Sequence, residues 1–160
     1  MAKRTTKRSA SLFIKLSAAT VAALLSSGAD AQTLNCFDNL IYGQIMTCGT
    51  PGTVTVRPDG SMTSSCVSAL GPTTRARCIV TQSFPYKPMQ IQISPTTTAI
   101  NNGGSTMSVT DFNIISNANG PTATRTTPFV SVPIGATLNV GGTQAGGTYN
   151  GSFTISVVFQ

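Results

Sequence analysis

The chain has 160 residues, room for one ordinary domain. It carries ten Lys plus Arg against four Asp, a formal charge of +6, with no Glu, His or Trp. That composition excludes His-based catalysis, His-ligated metals and, beyond residue 31, any site needing more than three carboxylates.

The charge is concentrated at the start. Lys3, Arg4, Lys7, Arg8 and Lys15 are half of all the cations. Residues 16–27 (LSAATVAALLSS) are apolar, and Ala29-Asp30-Ala31 offers small residues at the two positions a signal peptidase reads. A basic start, an apolar stretch and a small-residue cleavage site make a secretory signal peptide over residues 1–31. The apolar run is shorter than the roughly 20 residues a membrane-spanning helix needs. The mature chain is therefore expected to be 32–160, exported to the periplasm, cell surface or medium, with no membrane span. From residue 32 on, five cations face Asp38, Asp59 and Asp111, a net charge of +2.

Export decides how the cysteines read. Cys36, Cys48, Cys66 and Cys78 are even in number, which in an exported chain implies disulfides. No short Cys-x-x-Cys knuckle is present, so a structural zinc site is not indicated. Four cysteines allow three pairings. The segments around Cys48 and Cys66 flank an expected hairpin, which favours Cys48–Cys66 and leaves Cys36–Cys78.

After residue 31 no helical stripe is found. Residues 52–57 alternate and run into Pro58-Asp59-Gly60, where Pro presets φ and Gly accepts a positive φ. Residues 61–68 return as the partner strand. Strands follow at 75–82 and 89–94. In 106–115 the apolar face slips from Met107 and Val109 to Phe112 and Ile114, which a β-bulge near Asp111 explains. The stretches 95–105 and 117–127 read as loops. Apolar residues then occupy the even positions from Val130 to Val140, with Pro133 among them marking an edge or a break. Gly141-Gly142 and Gly146-Gly147 bracket a turn. Tyr149, Phe153, Ile155, Val157 and Phe159 then share the odd positions of a last strand. About seven short strands with turns between them predict an all-β fold, an antiparallel immunoglobulin-like β-sandwich.

The last strand has a further pattern. Phe159 is the penultimate residue, Gly147 is fourteenth from the end, and apolar residues alternate between them. This resembles the C-terminal motif of subunits assembled by the bacterial chaperone–usher pathway. Residues 135–160 (GATLNVGGTQAGGTYNGSFTISVVFQ) resemble more closely a family of exported bacterial domains, DUF4402. "GTVTV" before a Gly-containing turn, the Ala76-Arg77-Cys78 strand and the run from Met107 to Phe112 extend that likeness over most of 40–160. In pattern the family is related to pilins and to spore coat protein U-like subunits. The resemblance implies an incomplete immunoglobulin-like sandwich whose C-terminal strand (Gly147, Tyr149, Phe153, Ile155, Val157, Phe159) meets a periplasmic chaperone or a neighbouring subunit. Only Gln32–Asn35 precede Cys36, too little to serve as an N-terminal donor strand once Cys36 is tied down.

Chemistry is sparse. Asp59 belongs to a turn, Asp111 to the expected bulge, and Asp38 lies near the mature start, so no acid/base pair is adjacent in sequence. A hydroxyl nucleophile needs a base, and only Lys87 is on offer. Neither Gly103-Gly104 nor Gly141-Gly142 has the pattern of a phosphate loop. Arg57, Arg75, Arg77 and Arg125 form no basic stripe with interleaved aromatics, so nucleic acid is not an expected partner. The expectation is a non-enzymatic structural subunit of the cell surface or a pilus-like appendage, with no cofactor. The alternative is a monomeric adhesin-like module recognising a glycan or surface protein through 95–105 and 117–127.

Overall fold

A computed structural model describes residues 9–13, 32–114 and 120–160. The apolar stretch 16–27 and the cleavage site lie outside the described residues. Fourteen strands and no helix are present among those residues. In chain order they are β1 (Ser9–Phe13), β2 (Gln32–Asp38), β3 (Ile41–Thr47), β4 (Gly52–Val56), β5 (Met62–Ser65), β6 (Val67–Leu70) and β7 (Ala76–Gln82). Then come β8 (Met89–Ser94), β9 (Thr98–Asn101), β10 (Thr106–Ile114), β11 (Thr122–Arg125), β12 (Phe129–Val140), β13 (Gly147–Tyr149) and β14 (Thr154–Phe159).

Three hydrogen-bonded sheets result. One has the order β13-β1-β3-β6. The largest runs β2-β7-β12-β10-β9, with β4 paired to β12 and β5 to β4. The third is β11-β8-β14. Their inward positions form one apolar cluster, reached from β3, β4, β7, β8, β10 and β12 alike. Period-two alternation does the sorting: in β7 every even position from Ala76 to Gln82 is buried, and in β8 Met89, Ile91 and Ile93 are. Phe112 and Phe153 meet in this cluster with ring centroids 4.9 Å apart.

The expected hairpin closes as read. The Arg57 and Gly60 amides donate to the Ser61 and Arg57 carbonyls, and the Ser61 amide donates to Asp59 Oδ1 at 2.8 Å. The strand returning from it is not continuous, however. Cys66 takes a left-handed φ of 54°, which breaks 61–68 into β5 and β6 and sends them to different sheets. The bulge near Asp111 is present: the β10–β12 register shifts between Thr110 and Asn113, and Asp111 has φ 52°.

β12 is the spine of the largest sheet. Its first half pairs with β7 and its second half with β4 on one side and β10 on the other. Pro133 does not break it. Residues 129–133 have β7 as their only described ladder partner, so a missing amide is tolerated there. The strand count is double the expected seven. β9 and β11 lie inside the two stretches read as loops, and β2 and β3 precede the first strand read. The expected single C-terminal strand is two, because residues 150–153 interrupt it.

Candidate assembly site

The arrangement that bears most on function is the position of β1. Its five residues lie between β3, to which they run antiparallel, and β13, to which they run parallel. Ala10 stands opposite Ile45 and Gly147, Ser11 opposite Gln44 and Thr148, Leu12 opposite Gly43 and Tyr149. The register then skips Tyr42, and Phe13 faces Ile41. Gly43, with φ 75°, provides the left-handed residue of this bulge. A Cβ at Gly43 would also lie 2.6 Å from the Leu70 carbonyl oxygen.

Among the described residues β1 is the only ladder partner of β13, and β3 has β6 on its other side. The flanking strands bury Tyr42, Ile45 and Tyr149 at 0, 1 and 0% exposure. Burial raises the Tyr42 phenol well above its ordinary pKa, and its hydroxyl has no hydrogen-bond partner among the described residues. Tyr149 is satisfied: its hydroxyl donates to the Ala145 carbonyl and accepts from Gln144 Nε2, both at 2.7 Å.

The C-terminal residues singled out by sequence divide between two places. Gly147 and Tyr149 border β1, whereas Ile155, Val157 and Phe159 stand opposite Ile93, Ile91 and Met89 of β8. Phe153 is buried between the two strands and Ile155 is buried in β14; Val157 and Phe159 are half-buried. β14 has β8 as its only described ladder partner.

Of the cysteines, Cys36 and Cys78 face each other across β2 and β7 and are bridged. Cys48 and Cys66 are exposed and unbonded, although the hairpin favoured their pairing. They are nevertheless neighbours: Cys48 Sγ lies 2.6 Å from the Cys66 carbonyl oxygen.

The charged residues are engaged separately. Asp38 pairs with Arg77 at 3.1 Å, and Asp111 accepts from the Thr110 hydroxyl. Arg75 donates to the Pro58 carbonyl and Arg125 to that of Thr124. The Lys87 amide donates to Gln82 Oε1. Among the described residues no group of three or more Cys or Asp is placed to hold a metal, and no helix is long and apolar enough to cross a membrane.

Two further features were not singled out by sequence. A cleft of about 640 Å³ is lined by Thr96, Thr97, Thr110, Asp111, Asn113 and Pro121. It joins both stretches read as loops to the β10 bulge, and Asn113 keeps a buried Oδ1 without a described partner. Phe84 and Tyr86 pack edge to face at 5.7 Å and, with Phe129, stay exposed. Two aromatics bracketing Pro85 were the available signal for the second feature. The signal for β1 was the alternation of Ser9 and Ser11 with Ala10 and Leu12.

Residues 32–159 match the family described as "Domain of unknown function (DUF4402)". No curated protein and no solved structure matches the chain.

Proposed function

The chain belongs to the DUF4402 family, and from its geometry we propose that it is an exported, non-enzymatic structural subunit of the bacterial cell surface or of a pilus-like appendage. Its sheet is completed in trans by an extended segment of another chain, a neighbouring subunit or a periplasmic chaperone. One observation carries this reading. The strand between β3 and β13 is drawn from Ser9–Phe13, inside the segment read as a leader. Removing residues 1–31 vacates that place and leaves the backbone groups of β13, and of one edge of β3, without a ladder. Unpaired strand edges beside buried apolar side chains are templates for an added strand.

Two other facts support it. The family match begins at Gln32, the residue after the expected cleavage point. A Cys36–Cys78 bridge suits an oxidising compartment. In this reading the sheets form an immunoglobulin-like sandwich that lacks one strand until assembly. With only four residues before the bridged Cys36, the mature chain receives a strand and does not donate one from its N-terminus, which suits a position at an end of a fibre.

The experiment is an unheated denaturing gel of surface and periplasmic fractions from the native host, probed for this protein. Complexes held by an inserted strand unfold slowly and survive without boiling. Species larger than the chain that collapse on boiling support the reading. A single band at the mature mass contradicts it and favours the second reading, a monomeric module that binds a glycan or surface protein. That reading rests on the cleft beside Asp111, which offers Thr96, Thr97, Thr110 and Asn113 to a ligand.

A further inference from the structure

The two unbonded cysteines sit where one ribbon of chain changes sheets. β3 pairs with β6 in the four-stranded sheet, and β4 pairs with β5 in the largest one. The antiparallel ribbon made by β3–β4 and β5–β6 therefore crosses from one sheet to the other as a unit. Its last pair on one side is Thr47 with Val67, and its first on the other is Thr53 with Ser65. Cys48 and Cys66 occupy the corner between those pairs, one on each limb.

Several observations converge there. Cys66 is one of two non-glycine residues with positive φ among the described residues, so the corner itself fixes its backbone. Cys48 Sγ is 2.6 Å from the Cys66 carbonyl oxygen and 3.2 Å from the Thr50 hydroxyl. Both thiols are exposed and open to a reagent. The hydrogen bonds from the Thr50 hydroxyl and backbone lower the Cys48 pKa, which favours its thiolate.

We propose that Cys48 and Cys66 are a redox-labile dithiol, closing by disulfide exchange into a second bridge that clamps the corner where the ribbon changes sheets. The oxidant is a disulfide RSSR, such as oxidised glutathione or the disulfide of a thiol oxidoreductase. The Cys48 thiol loses its proton, and its sulfur attacks one sulfur of RSSR. A Cys48–S–S–R bond forms and RS⁻ leaves. The Cys66 thiolate then attacks the Cys48 sulfur, forming the Cys48–Cys66 bond and releasing the second RS⁻. Two protein thiols are oxidised, RSSR is reduced to two RSH, and the two thiol protons end on those products.

The two bridges differ in setting. Cys36 is exposed but Cys78 is fully buried where β2 and β7 pair, whereas both halves of the corner pair are exposed, at the two ends of the β4–β5 hairpin. Cys48–Cys66 is the one that opens first on reduction. Closing it fixes the end of β3, the strand that borders the place of β1. The inference does not depend on the assembly reading.

The test equilibrates the purified whole protein in glutathione buffers of graded ratio. Samples are quenched in acid, alkylated under denaturing conditions and mapped by mass spectrometry after enzymatic cleavage on the N-terminal side of Asp59, which separates the two cysteines. Oxidised wild type is expected to lose both alkylatable thiols and to yield a Cys48–Cys66 link within one chain. On reduction that link should disappear at a milder ratio than Cys36–Cys78. Cys66→Ser should trap one glutathione on Cys48, and Cys48→Ser should slow the first exchange. Retention of Cys36–Cys78 reports that these variants are folded. If a variant unfolds, the wild-type map decides alone. A glutathione on each cysteine, a link between two chains, or Cys36–Cys78 opening first overturns the proposal.

Discussion

Gln82 is the only buried polar side chain among the described residues, and its amide is fully used. Nε2 donates to the carbonyls of Lys87 and Thr127 at 2.9 and 3.0 Å, and Oε1 accepts from the Lys87 amide at 3.0 Å. One amide thus fastens the segment before β8 and the segment before β12 to the end of β7. Gln82→Leu fills the same space but leaves three backbone groups without this partner. We expect it to lower unfolding stability by about 3 kcal/mol, read as a drop in the urea midpoint at unchanged slope. The pH dependence is also set by single residues. The Ser61 hydroxyl and amide hold Asp59 below its ordinary pKa, so its contribution is present above the usual carboxylate range and lost as pH falls through its folded value. Tyr42 is raised: below about pH 10 folded and unfolded chains both keep the proton, and above it the unfolded chain ionises first. With no His in the chain, the urea midpoint should stay flat from about pH 5 to 7, fall in acid and fall again in strong alkali.

At the scale of elements, the handover on β12 is the tightest point. Gly135 lies between the stretch paired with β7 and the stretch paired with β4. A Cβ there would press on the Val56 carbonyl oxygen and come within 2.8 Å of Arg57 Cα, both backbone that cannot swing aside. Gly135→Ala should cost about 2 kcal/mol or more in thermal or urea unfolding, within the usual range for overpacking. Much at this scale was legible in the sequence. The alternation in 52–57, 75–82, 89–94 and 130–140 gave strands, and in 130–140 the apolar even positions are the buried ones, because a two-sided strand must repeat every second residue. The face slip at Asp111 gave the bulge. What stayed hidden has physical reasons. β9 and β11 have four residues each, with mostly Thr, Ala and Asn between their few apolar side chains, too short for a period to declare itself. The split at Cys66 depends on one left-handed φ in a residue that rarely adopts it. The break in the C-terminal strand leaves the odd-numbered apolar pattern undisturbed, so pairing with two different sheets is invisible in it.

At the scale of the whole molecule, the four-stranded sheet is joined through a strand that lies within the segment expected to be a leader. Sequence marked Gly147 to Phe159 as the assembly strand, and its first half does border β1. The other border, β3, was not legible. What makes it a border is its pairing with Ser9–Phe13, about thirty residues away in sequence, which no local pattern encodes. Without β1 the backbone edges of β3 and β13 stand unpaired beside the buried Tyr42, Ile45 and Tyr149, and the proposed function has an extended segment of another chain pair there. The most direct measurement is amide hydrogen exchange on the exported protein, comparing the species isolated from the native host with the released single chain beginning at Gln32. With assembly in trans, amides of Ile41–Thr47 and Gly147–Tyr149 are strongly protected in the host species and exchange rapidly in the released chain, while β7, β8 and β12 change little. Equal protection of β3 and β13 in a released monomer would mean that the mature domain closes its own sheet, and the proposed assembly in trans would fall.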